Sequence, residues 1–254
     1  MASLLKYDER VALTLILTEG RINLSKIGSY LGKTRQAVYY WISKMLEMGI
    51  LGPPQVYVRP DAAGYYYAYF RGRVLPENYV LAFKTLEGEY IFGVPFRTPT
   101  ELQVLASLYG RPMFVPNLRP ARLSPTKLRV LKMYVHNPHI TSSDLVEELG
   151  LGWSAARRYL RWAREVTVLT YSVDLPRSGL FAAAIFSKVP IPGASRHSFF
   201  RCQAKAVGFY GVVLPDVEKA SQFIEEAKKT DPSLTVSPLV SYHLKPPPLE
   251  EMPY

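Results

Sequence analysis

The sequence is poor in the residues from which disulfides and metal sites are built. It has one cysteine, Cys202, and four histidines among 254 residues. A single cysteine cannot form an internal disulfide, and His136, His139, His197 and His243 follow no metal-ligand spacing. A phosphate-binding glycine loop of the Walker kind is also absent. These absences argue against a disulfide-stabilised secreted protein, a resident metal and a P-loop enzyme, and we expect no cofactor.

Long hydrophobic runs are missing as well. No apolar stretch near the start of the sequence is long or uninterrupted enough for a signal peptide or a membrane span, so we expect a cytoplasmic protein with no membrane partner. The 48% hydrophobic content can bury cores for two domains or four small modules. The net charge of +10 raises the local concentration of polyanions such as nucleic acids.

The sequence does contain an internal repeat. Residues 22–51 align without a gap with residues 140–169, at a constant offset of 118. The identical pairs at this offset are Ile22/Ile140, Ser25/Ser143, Leu31/Leu149, Gly32/Gly150, Ala37/Ala155, Glu47/Glu165 and Leu51/Leu169. Chance rarely produces such a match, so we infer two copies of one structural unit.

The spacing of apolar residues predicts a helix-turn-helix in each copy. In the first copy, a supporting helix covers residues 8–17 and a short helix ends at Gly32, which tolerates a left-handed backbone. Thr34 can cap the next helix through its hydroxyl group. That helix turns Val38, Ile42 and Met45 inward. Residues 55–59 could then supply the wing of a winged helix.

The remaining segments also follow one order in both copies: three strands, a helix and a strand. In the first copy these are predicted over residues 65–74, 79–85, 90–96, 99–109 and 113–115, and in the second over 180–189, 199–206, 208–214, 216–228 and 234–242. We therefore predict an α+β chain of five parts. They are helix-turn-helix modules at 1–59 and 123–172, antiparallel-sheet modules at 60–122 and 173–244, and a proline-rich tail at 245–254.

The residues resemble the family of the leucine-responsive regulatory protein and the asparagine-operon regulator (Lrp/AsnC). The resemblance rests on residues 20–22, the Leu31-Gly32 turn, the helix with Val38, Ile42 and Met45, and residues 49–51 and 57–64. It implies winged helix-turn-helix modules joined to ferredoxin-like effector modules, here as a tandem duplication. Residues 75–78 and 190–196, between the first two strands of each copy, leave no room for the family's first effector helix, which weakens the case for a small-molecule effector.

The exposed faces of the two recognition helices predict contacts with double-stranded DNA. Arginine can hold phosphates or read guanine with two parallel hydrogen bonds, and tyrosine can donate to phosphates. The predicted DNA-binding residues are Arg35, Gln36, Tyr39, Tyr40, Ser43 and Lys44 in the first copy, and Ser154, Arg157, Arg158, Arg161 and Arg164 in the second. Because the two sets differ, we expect a single-chain pseudo-dimer that reads an asymmetric site.

We therefore predict a sequence-specific transcriptional regulator that is not an enzyme, with no catalytic and no metal-binding residues. Two alternatives remain open. One is an architectural DNA-binding protein with little specificity, which the positive charge would serve equally well. The other is an enzyme on the same scaffold, since some proteins that resemble this family are tetrapyrrole decarboxylases. A homodimer through the effector-like sheets is a further option.

Overall fold

The structure is a computed structural model and describes residues 4–204 and 207–249. The elements of the first half are α1 (Tyr7–Glu19), α2 (Leu24–Leu31), α3 (Arg35–Glu47), β1 (Leu51–Val58), α4 (Pro60–Ala63), β2 (Tyr66–Gly72), β3 (Leu81–Thr85), β4 (Tyr90–Phe96) and α5 (Pro99–Tyr109). Those of the second half are α6 (Pro125–His136), α7 (Ser142–Leu149), α8 (Trp153–Glu165), β5 (Thr167–Val173), α9 (Leu175–Ser178), β6 (Phe181–Ser187), α10 (Ala194–His197), β7 (Ser198–Ala204), β8 (Val207–Leu214), α11 (Val217–Thr230) and β9 (Thr235–Leu244). The predicted α+β class is confirmed.

The segments predicted to form helix-turn-helix units recur with the same bounds. Helices α2 and α7, and likewise α3 and α8, begin and end at positions 118 residues apart. Gly32 and Gly150 end α2 and α7 with φ angles of 63° and 62°, in the left-handed region that glycine adopts without steric cost. The Thr34 hydroxyl accepts a hydrogen bond from the backbone N–H of Ala37, so the predicted cap of α3 is confirmed.

The chain divides into two compact units, each built from separated stretches of sequence. Unit 1 combines residues 1–55, 83–91 and 169–243, and unit 2 combines residues 56–82, 92–168 and 244–254, in both cases as far as the structure describes them. No helix among the described residues is both long and apolar enough to cross a membrane.

Unit 1 contains an antiparallel sheet in which β6 lies between β9 and β8, with β7 beyond β8. Alternate residues of β8 face opposite sides of this sheet. Tyr210 and Val212 pack with Phe223 of α11 in one core. On the other side, Phe209 lies against Phe83 and Phe200, with each pair of ring centroids 5.7 Å apart. Helix α1 also contacts β7 and β8.

Unit 2 contains β2 beside β4, and a separate helical core. The helical core is formed by Val130, Tyr134, Ile140, Leu145, Ala156, Leu160 and Ala163 of α6, α7, α8 and the turn before α7. Near β2, the hydroxyl groups of Tyr57 and Tyr69 lie 2.6 Å apart and are buried. Instead of the strand predicted over 113–115, the structure has an isolated β-bridge between Phe114 and Tyr69.

Two other local predictions are changed by the structure, and a third reaches residues that lie outside its described ranges. Residues 55–59 do not form a separate wing, because β1 includes Pro53 and Pro54 and pairs with β5 as a two-stranded sheet. Proline has no N–H, and a strand with an open edge tolerates that loss. One helical turn, α10, occupies the connection of the second copy that was predicted to lack a helix. The strand predicted over 199–206 runs into residues 205–206, which lie outside the described residues.

The segment predicted as a tail is held in unit 2 as far as the structure describes it. The backbone N–H of Lys245 donates to the carbonyl oxygen of Val80 at 3.0 Å. Its ammonium group donates to the carbonyl of Glu77 and lies 4.0 Å from the centroid of the Tyr79 ring. The proline-rich composition therefore does not prevent residues 245–249 from packing.

Asp231 joins the end of β6 to the end of α11. Its carboxylate accepts hydrogen bonds from the hydroxyl of Ser187 at 2.8 Å, the N–H of Lys188 at 2.7 Å and the hydroxyl of Ser233 at 2.7 Å. These bonds to the charged form hold the pKa of Asp231 far below its usual value of 3.8. A lowered folded-state pKa stabilises the fold above pH 3.8, and the contribution is lost as the pH falls below that value.

We expect Asp231→Asn to lower the urea midpoint at pH 6, because an amide replaces the ionised acceptor. At pH 2 the difference from the wild-type protein should shrink. Urea unfolding followed by circular dichroism at both pH values measures this effect. Asp216→Asn is the control, since Asp216 caps the other end of α11 through Lys219 N–H and asparagine caps equally well. If the urea midpoints of Asp231→Asn and the wild-type protein differed equally at both pH values, the stabilising role of the Asp231 charge would be contradicted.

Candidate functional site

The predicted residues of α3 lie on one helix but not all of them are free. Arg35, Gln36, Tyr39 and Tyr40 are exposed, while Ser43 and Lys44 are partly buried. The ammonium group of Lys44 donates to Glu9 Oε1 at 2.8 Å, and the Glu9 side chain is only 4% exposed. Lys44 is therefore paired with α1 in this structure, and its contact with DNA stays a prediction.

The predicted residues of α8 are all at the surface. Ser154, Arg157, Arg158, Arg161 and Arg164 are exposed, and the Arg158 guanidinium lies 5.3 Å from the centroid of the Tyr159 ring. The two sets of predicted DNA-binding residues lie on different helices. Helix α3 belongs to unit 1 and helix α8 belongs to unit 2. Whether these surfaces bind a nucleic acid stays a prediction.

A different arrangement occurs at α10 in unit 1, on the connection between β6 and β7. Gly193 begins this single turn with a φ of 76°, and its carbonyl accepts the Arg196 N–H at 2.9 Å. Ala194 is buried in the core, and its carbonyl oxygen accepts a hydrogen bond from the Ser198 hydroxyl at 2.6 Å. These contacts hold the turn on the sheet and fix the position of His197.

The imidazole of His197 is half-buried against an aromatic ring. Its centroid lies 5.1 Å from that of Phe223 on α11, at an interplanar angle of 62°. Burial lowers the pKa of His197 below its usual value of 6.5, and the positive charge of Arg196 lowers it further. The neutral imidazole is therefore the stable form at neutral pH, and a neutral imidazole can coordinate a metal or exchange a proton.

Arg196 places a cation next to this imidazole. Its guanidinium is exposed and can pair with a carboxylate through two parallel hydrogen bonds. No group of three or more histidine, cysteine, aspartate or glutamate side chains within the described ranges could hold a metal ion. His197 can thus supply one ligand to a metal ion, and Arg196 can bind one anion. The other ligands of the metal ion would have to come from the bound molecule itself.

His197 was among the histidines for which the sequence showed no partner. The residue that it contacts, Phe223, lies 26 positions later and on a different element. Only the packing of α11 over the sheet brings the two rings together. The one local signal was Gly193 followed by Arg196-His197 in a connection too short for a full helix.

Comparisons with known proteins give three solved structures and no other match. No protein-family model and no curated protein sequence matches the chain. The crystal structure of the siroheme decarboxylase NirDL aligns with 94% of this chain and 93% of its own, with 11% identity and a TM-score of 0.38. NirDL in complex with an iron-uroporphyrin III analogue gives the same identity and TM-score over 94% and 92%. PH0061 aligns with 47% of this chain and 93% of its own, with 15% identity and a TM-score of 0.31.

These comparisons correct the functional prediction from the sequence. The solved structures that span nearly the whole chain are of an enzyme, whereas the sequence was interpreted as a DNA-binding regulator without enzymatic activity. That interpretation was wrong, and so was the exclusion of an enzyme. At 11% identity and a TM-score of 0.38, the likeness transfers neither substrate nor catalytic residues to this chain.

Proposed function

We propose that the chain is an enzyme that acts on an iron tetrapyrrole carrying carboxylate groups. The observation that carries this proposal is the neutral, half-buried imidazole of His197 beside the exposed guanidinium of Arg196. A lone imidazole holds a free metal ion poorly, but it is a common axial ligand of an iron whose other ligands come from a macrocycle. A guanidinium beside it matches the carboxylates at the edge of such a macrocycle.

The reaction that this site supports best is decarboxylation of the substrate. In that reaction the bond between a side-chain carbon and its carboxylate carbon breaks, carbon dioxide leaves, and a proton replaces it on the side chain. His197 would bind the iron of the substrate and orient the macrocycle, while Arg196 would hold a carboxylate. Phe223, itself buried, would give the imidazole an apolar wall that limits access of water.

The finer description of the fold is also a proposal. In unit 1 the four strands of the second copy lie in the order β9-β6-β8-β7. The first strand of this copy thus lies between the last and the third, which supports a ferredoxin-like module. The recurrence of elements at an offset of 118 supports an Lrp/AsnC-like tandem duplication within one chain. We keep the boundaries 1–59, 60–122, 123–172 and 173–244 for its four modules.

The test is an absorbance titration of the protein with iron uroporphyrin III. We expect the wild-type protein to shift the main absorption band, and His197→Ala to weaken binding at least about tenfold, because the axial ligand is lost. His139→Ala is the matched control, since His139 is exposed and should leave binding unchanged. Because the pKa of His197 is lowered, the wild-type shift should persist to a lower pH than it would with a histidine of ordinary pKa.

Activity is measured on the same mixtures by mass spectrometry. A decarboxylase should yield products lighter by one carbon dioxide for each carboxylate removed, and His197→Ala should yield fewer of them. The proposal fails if the wild-type protein leaves the absorption band unchanged. It also fails if His197→Ala and the wild-type protein bind the tetrapyrrole equally well.

A further inference from the structure

Residues 245–249 form a proline-rich segment of unit 2, here called the strap. Its sequence is KPPPL, and residues 245–248 belong to no helix or strand. Proline fixes its own φ near about −65° and holds the residue before it in an extended conformation, so this run of prolines favours polyproline II. A polyproline II segment has no internal hydrogen bonds, and its carbonyl oxygens therefore stay available to donors from other parts of the protein.

Lys245 holds the beginning of the strap through residues on both sides of Tyr79. Its backbone N–H donates to the carbonyl oxygen of Val80 at 3.0 Å, and its ammonium group donates to the carbonyl oxygen of Glu77. The ammonium nitrogen also lies 4.0 Å from the centroid of the Tyr79 ring, whose negative face attracts a cation. Residues 77–80 therefore contact both the backbone and the charge of Lys245.

The prolines of the strap meet a second tyrosine, Tyr65. The Tyr65 hydroxyl donates to the carbonyl oxygen of Pro248 at 3.3 Å. The guanidinium of Arg97 donates to this hydroxyl at 2.7 Å and lies 4.6 Å from the centroid of the Tyr65 ring. Arg97 therefore orients Tyr65 toward a proline carbonyl. Pro247 and Leu249 are buried, whereas Pro248 is exposed.

These contacts are of the kind by which aromatic surfaces recognise proline-rich segments. Such surfaces use aromatic side chains, and the ligand loses little entropy because polyproline II is already formed before binding. We propose that Tyr65, Tyr79 and Arg97 form a binding site for a proline-rich segment of another protein, and that the strap occupies this site in the unbound chain. The ligand has a basic residue, three prolines and an apolar residue in that order, because the strap presents this order to the site.

The strap would then regulate access to the site. Residues 245–248 lie outside β9, so their release breaks no strand. A tethered segment has an effective concentration of about millimolar, and the untethered strap of a second copy makes the same contacts without that advantage. The occupant is therefore a partner that binds more tightly than the strap. Its apparent affinity falls in proportion to the fraction of molecules in which the strap is released.

The test is a titration of a fluorescent peptide with the sequence KPPPLEE, that of residues 245–251, followed by anisotropy. We expect the full-length Lys245→Ala protein to bind this peptide about tenfold more tightly than the wild-type protein, because its strap has lost a charged hydrogen-bond donor and leaves the site more often. A peptide with alanines in place of the prolines should bind at least about tenfold more weakly, since it is not preorganised.

Tyr65→Phe, made in the Lys245→Ala protein, tests the site itself. It should weaken binding of the KPPPLEE peptide about fivefold, because the donor to the proline carbonyl is lost. Tyr66→Phe is the matched control in the same protein. Tyr66 is the next residue in the chain, but its ring stacks on Phe96 with the centroids 5.4 Å apart, so binding should not change.

The inference does not depend on the proposed function and can fail independently of it. It is overturned if neither the wild-type protein nor Lys245→Ala binds the peptide, if the proline and alanine peptides bind equally well, or if Tyr65→Phe has no more effect than Tyr66→Phe. Sedimentation velocity tests the other source of a strap. Self-association of Lys245→Ala that the free peptide reverses would make a second copy the occupant and contradict the assignment to another protein.

Discussion

Gly20→Ala is expected to lower the free energy of unfolding by about 3 kcal/mol. Gly20 ends α1 with a φ of 64°, which an L-residue adopts at a cost of about 1 to 2 kcal/mol. A Cβ at this position would also overlap the carbonyl oxygen of Leu169 in β5. That oxygen belongs to the backbone of a paired strand and cannot rotate away, so the strand has to shift.

Gly32→Ala separates the two causes. Gly32 ends α2 with nearly the same φ, 63°, but no atom lies within 4 Å of the Cβ that alanine would add. We expect this variant to lose only the conformational part, about 1 kcal/mol. Urea unfolding of both variants, followed by circular dichroism, measures the difference. Equal losses would show that the approach of α1 to β5 does not constrain Gly20.

Glu9→Gln is expected to lower the free energy of unfolding by about 2 kcal/mol. The Glu9 carboxylate is 4% exposed and Lys44 is 32% exposed, so loss of the negative charge leaves a partly buried ammonium without its counter-ion. Breaking a fully buried pair costs about 3 to 5 kcal/mol, and the partial exposure of Lys44 reduces that value. Glutamine can still accept the N–H of Lys6, so the cap of α1 should survive.

Asp8→Asn is the matched control for the loss of charge in Glu9→Gln. Asp8 precedes Glu9 on the same helix and pairs with Lys33, but both side chains are about two-fifths exposed. Exposed pairs contribute less than about 1 kcal/mol, so Asp8→Asn should change stability little. Urea is the suitable denaturant because it adds no ions that would screen either pair. A similar loss from both variants would mean that burial of Glu9 does not decide its contribution.

Much of the secondary structure could be predicted because its causes are local. The apolar spacing that predicted the third helix of each copy reappears as α3 and α8, with identical bounds at an offset of 118. The roles of Gly32 and Thr34 at helix ends followed from the chemistry of those two residues alone. Strands were found with their ends displaced by a few residues, since fraying and pairing decide where a ladder stops.

The sequence could not show contacts between residues that are distant in sequence. Lys44 pairs with Glu9, which lies 35 residues earlier on another helix, and no local pattern indicated that pair. His197 was passed over because Phe223 is contributed by α11. A basic helix face has the same sequence pattern whether it binds nucleic acid or only solvent, so the charge of α8 could not decide between them.

The sequence by itself determined the α+β class, the duplication of the helical units and the caps that bound them, because periodicity and capping act within a few residues. The tertiary structure alone decided which polar groups are paired and which are free. It gave Lys44 a buried carboxylate, placed His197 against an aromatic ring and left the Nε of Arg10 without a partner among the described residues. The physical reason is that burial and pairing depend on what other elements bring to each side chain, and these elements come from distant parts of the chain.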